Sequence, residues 1–60
     1  MKESNRTMLD EFKTTLKARI SKSETTAQQY KGVDFALSEY HRGQAQALKE
    51  MLLYIETVLD

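Results

Sequence analysis

Apolar residues recur along the chain at helical spacing. Leu9, Phe12, Leu16 and Ile20 follow one another at three- and four-residue steps, with Met8 at the edge of the row. Such spacing puts one apolar stripe on an α-helix and makes Leu9, Phe12, Leu16 and Ile20 the candidate core of that helix within the chain. Thr7 is placed to cap its start, and Asp10 falls in the first turn, where a carboxylate suits the helix dipole. A first helix is expected over about 7–22. A second apolar set (Phe35, Leu37, Tyr40, Leu48, Met51, Leu52, Tyr54, Ile55, Val58, Leu59) predicts a longer helix over about 24–59. No window alternates apolar with polar residues, so no strands are expected and the fold class is all-α.

Two places compete for the turn between the helices. Ser21, Ser23, Thr25 and Thr26 lie within six residues, side chains that compete for backbone hydrogen bonds, and Ser21 with Glu24 forms a capping-box pattern. These place the turn at about 22–25. The alternative is 31–34, where Gly32 could end one helix and Asp34 could cap the next, giving a hairpin of nearly equal arms. An internal repeat favours the first site. Gly-x-x-x-Ala-Leu-x-Glu occurs at Gly32, Ala36, Leu37 and Glu39, and again eleven residues on at Gly43, Ala47, Leu48 and Glu50. Eleven residues are three turns at 3.67 per turn, so one unbroken helix would bring both copies onto one side. The expected architecture is therefore an antiparallel two-helix hairpin with a short first and a long second helix.

The second helix carries more apolar residues than one face can hold: from Leu48 to Leu59, eight of twelve positions are apolar. A lone helix of this kind exposes a larger patch than soluble monomers tolerate. The candidate interface with another copy or a partner comprises Gly32, Ala36, Leu37, Tyr40, Gly43, Ala47, Leu48, Met51, Leu52, Tyr54, Ile55 and Val58, the small residues letting a second helix come close. Two hairpins closing into a helical bundle or coiled coil, as a homodimer or higher, would cover it. Tyr40, His41 and Arg42, of types enriched at binding hot spots, form a candidate partner-binding surface. With the arms equal, Leu9, Phe12 and Leu16 would instead cover Ile55, Leu52 and Leu48 within the chain.

Composition sharpens this picture. At 60 residues a single core is marginal and needs reinforcement. Cys is absent and His occurs once, which closes off disulfides, thiolate zinc sites and Cys/His nucleophiles and leaves self-association. No cofactor or metal is expected, and no phosphate-binding glycine motif is present. Glu39 and His41, two apart, point to different sides of a helix. The chain reads as non-enzymatic. Nine basic residues balance nine acidic ones, so no overall field steers the chain to nucleic acid. The halves differ, with seven basic against four acidic residues in 1–31 and two against five in 32–60, a difference that suits antiparallel packing. A nucleic-acid role is the lesser alternative and would use Arg6, Lys13, Lys17 and Arg19, with Lys2 extending the row. No apolar run reaches the length of a membrane span and no export signal opens the chain, so a cytoplasmic protein is expected.

The segment "QQYKGVDFALSEYHRGQAQALKEMLLYIE", about half the chain, resembles the Y-x-x-G-x-x-x-A-L helices of short proteins from bacteriophages and prophages of Gram-positive bacteria. Tyr40, Gly43, Ala47 and Leu48 carry the pattern. The resemblance implies an accessory protein of the host cytoplasm that acts by binding a protein partner, such as a host enzyme, a defence complex or a regulator, and blocking it. Virion assembly or scaffolding is the structural alternative. The chain also has the size of sporulation-phosphatase hairpins, but "LSEYH" does not supply their Ser-Gln-x-Leu-Asp signature.

Overall fold

A computed structural model describes the backbone over residues 2–59 and the side chains over residues 6–59. Among these residues all regular structure is helical. Helix α1 (Lys2–Tyr30) and helix α2 (Phe35–Tyr54) pack antiparallel, and α2 continues into a π-helical turn (Ile55–Leu59). The Cα trace measures 48 × 16 × 9 Å, one layer of two helices.

The helices meet along a seam that repeats every seven residues. On α1 the buried and half-buried positions Leu9, Lys13, Leu16, Ile20, Ser23, Ala27 and Tyr30 alternate steps of four and three, with Thr26 half-buried beside them. On α2 they are Ser38, His41, Ala45, Leu48, Leu52 and Ile55. A 3.5-residue period on both helices is the coiled-coil pattern. The seam is graded. Leu16, Ile20 and Ile55 are buried towards the open end, whereas Ser23, Ala27, Ser38 and Ala45 occupy the half nearer the turn. There the Ser38 hydroxyl donates to the Ala27 carbonyl at 2.9 Å, and the Ser23 hydroxyl reaches the Gln44 amide oxygen at 3.5 Å. Small residues let the arms approach closely enough for those contacts.

The turn lies at 31–34, and the expected turn at 22–25 is corrected: α1 is helical from Lys2 to Tyr30, through Thr7 as well. Two of the hydroxyls near residue 23, those of Ser23 and Thr26, find partners without breaking the helix. Thr26 donates to the Lys22 carbonyl four residues back at 2.9 Å, as Thr14 does to Asp10 at 3.0 Å, and Ser23 is buried in the seam. At 31–34 the reversal is built by backbone geometry. Gly32 takes φ +83°, in the left-handed region that costs other residues. The N–H groups of Val33 and Asp34 both donate to the Tyr30 carbonyl at 2.9 Å. Asp34, extended at φ −142°, accepts the Leu37 N–H on its Oδ1 at 3.1 Å and caps α2. The eleven-residue repeat therefore does not record one continuous helix, since Gly32 serves the turn and Gly43 lies inside α2.

Candidate protein-binding face

At 100° per residue the seam occupies one side of α2 and leaves a second stripe roughly 130° away: Ala36, Tyr40, Gly43, Ala47, Met51, Tyr54 and Val58. All seven are exposed. Tyr40 keeps 62% of its surface accessible, Tyr54 and Val58 59% each, and Met51 47%. Phe12 of α1 rises beside this stripe, 46% exposed. Together Phe12, Ala47, Glu50, Met51, Tyr54, Ile55 and Leu59 line an open, largely apolar groove of about 430 Å³.

Gly43 is the chemically telling member. It lies mid-helix, where glycine is unfavourable by about 0.5–1 kcal/mol relative to alanine. A Cβ built there would meet nothing within 4 Å. Nothing inside the hairpin requires a glycine at this position.

The structure divides the sequence-derived candidates. Ala36, Tyr40, Gly43, Ala47, Met51, Tyr54 and Val58 share the bare face, but Leu48, Leu52 and Ile55 belong to the intrachain seam, with Ile55 4% exposed. Leu37 borders the seam, and Gly32 is held in the turn. Of the expected core, Leu16 and Ile20 are buried and Leu9 is half-buried, whereas Phe12 is displaced towards the groove. Its spacing foretells this: Phe12 precedes the seam position Lys13 by one residue.

Tyr40, His41 and Arg42 do not form one surface, because consecutive helical residues diverge by 100°. His41 enters the seam, stacked on Tyr30 with ring centroids 6.1 Å apart, while Tyr40 meets it edge-on at 5.1 Å. Arg42 lies on the opposite flank and pairs with Glu39 at 3.3 Å. The basic row is also dispersed. The Lys13 side chain is 15% exposed and pairs with Asp10 at 3.7 Å, its stem covering the seam. Arg19 lies on the groove side, where with Lys22, Ser23, Thr26, His41, Gln44 and Leu48 it lines a cavity of about 300 Å³. Arg6 and Lys17 are exposed, and the side chain of Lys2 lies outside the described residues. Among the described residues an ion pair between the helices joins Glu24 to Lys49 at 2.6 Å, an acid of the basic half with a base of the acidic half, so the asymmetry of net charge does not set this contact.

The seam positions Ser23, Ala27, Ser38 and Ala45 escape a search for large apolar residues. The signal available was the seven-residue spacing itself, continued through small side chains. Among the described residues, no group of three His, Asp or Glu side chains is placed to hold a metal ion, and no helix is long and apolar enough to cross a membrane. Comparison with family models, with curated proteins and with solved structures finds no match to this chain.

Proposed function

We propose that this chain is a non-enzymatic helical interaction module whose working surface is the bare face of α2, from Ala36 to Val58, with Phe12 at its edge. The supporting observation is Gly43, a mid-helix glycine on an exposed apolar stripe with open space above it. Its missing side chain is an asset only when a foreign helix approaches the axis there. The area supports the same reading. The chain exposes 4952 Å². A compact 7.0 kDa monomer exposes about 4000 Å² by the scaling of surface with mass, leaving about 900 Å² in excess, close to the ~800 Å² each partner contributes to a standard interface. Closure into a helical bundle is the form this reading takes. The resemblance to small phage helices extends it to a phage-encoded protein that binds and blocks a host protein.

A photo-crosslinking residue at Ala47, compared with one at Gln46 two-sevenths of a turn away from the stripe's centre and one at Gln28 on the opposite flank, tests the assignment in cells. Crosslinks to protein concentrated at Ala47 are expected. Equal yields from Ala47 and Gln28 would overturn it.

A further inference from the structure

We infer that the occupant of the α2 face is a second copy of this chain, docked antiparallel about a twofold axis at Ala47. This rests on the interaction-module reading and names its partner. The exposed stripe is spaced palindromically: from Ala36 the steps are four, three, four, four, three and four, reaching Val58 with Ala47 at the centre. A twofold axis through Ala47 therefore brings each stripe residue opposite another stripe residue, as an isologous interface requires. Two of the pairs, Gly43 with Met51 and Ala36 with Val58, also complement in size. Ala47 meets Ala47 of the second copy, Gly43 meets Met51, Ala36 meets Val58, and Tyr40 meets Tyr54. A parallel dimer would set Met51 on Met51 and leave Gly43 against Gly43, crowding one layer and hollowing the next.

Phe12 fits the same arrangement. Phe12 shares its groove with Met51 and Tyr54, the end of the stripe that would receive Gly43 and Tyr40 of the second copy. The excess exposed area matches one partner's share of such an interface, and two hairpins joined on this face make an antiparallel four-helix assembly with the two α2 helices at its centre.

The chain lacks Cys, so engineered thiols report geometry without background. Light scattering of the full chain at tens of micromolar should give twice 7.0 kDa. Ala47→Glu should raise the dissociation constant by at least roughly tenfold while circular dichroism retains the helicity. Under mild oxidation, an equimolar mixture of Gly43→Cys and Met51→Cys chains should form mainly the mixed disulfide. Preferential 43–43 and 51–51 products would overturn the antiparallel arrangement. A monomeric wild-type chain would overturn the second-copy inference. If crosslinks from Ala47 to another protein then persisted, the interaction-module reading would stand alone; if they too were absent, both would fall. Should Ala47→Glu unfold the chain, Met51→Glu, at a position 47% exposed in the hairpin, supplies the same test.

Discussion

Gly43→Leu should act with opposite signs on the hairpin and on its assembly. Within the hairpin the new side chain meets open space, since even its Cβ has no neighbour within 4 Å. Replacing a mid-helix glycine by leucine then stabilises the folded chain by up to about 0.8 kcal/mol. For a domain of this length that corresponds to a rise of roughly 3–6 °C in midpoint. In the dimer the same side chain enters the volume that Met51 of the second copy fills. Overpacking typically costs about 1–3 kcal/mol per site, and the symmetry repeats it, so association should weaken by about 2–6 kcal/mol, or at least ~30-fold in dissociation constant. Circular dichroism melts at concentrations above and below the wild-type dissociation constant, with light scattering on the same samples, separate the two effects. The dilute sample should melt higher than wild type and the concentrated one should lose its concentration dependence. An unchanged dimer affinity with a raised midpoint at every concentration would show that no helix packs closely over Gly43.

Three further substitutions probe the hairpin itself. Leu16→Ala removes a residue 3% exposed at the apolar end of the seam and should cost about 2–5 kcal/mol; with so few large side chains buried, its urea transition should shift far towards zero denaturant. Asp34→Ala deletes the carboxylate that accepts the Leu37 N–H and should destabilise by about 0.5–2 kcal/mol, with Asp34→Ser recovering most of it in the same denaturation assay. Glu24→Gln breaks the pair with Lys49, whose side chains are each half exposed. Its effect on the thermal midpoint should correspond to less than about 1 kcal/mol and vanish at high salt, and a larger loss would mean that this individual ion pair, against the net charges of the two halves, helps to hold the helices together.

The helical class and the first helix's apolar row were legible because large side chains announce their period. Leu9, Leu16 and Ile20 fall where spacing puts them. The seam's other half was not legible, since Ser23, Ala27, Ser38 and Ala45 bury small or hydroxyl-bearing side chains whose sequence signature is that of a turn or a surface. Ser23 carries the clearest lesson. A serine among threonines favours a helix end only when its hydroxyl competes for the local backbone; here it turns across to Gln44, and the helix runs on. The repeat misled for a related reason. Its two glycines are identical in sequence context but answer different physical demands: Gly32 supplies a positive φ that closes the turn, and its Cα position would be strained with any side chain. Gly43 has ordinary helical geometry and empty space above it, so the fold alone gives no reason against alanine there. A residue that the fold does not require and that helix propensity disfavours points outside the hairpin, to whatever comes against α2.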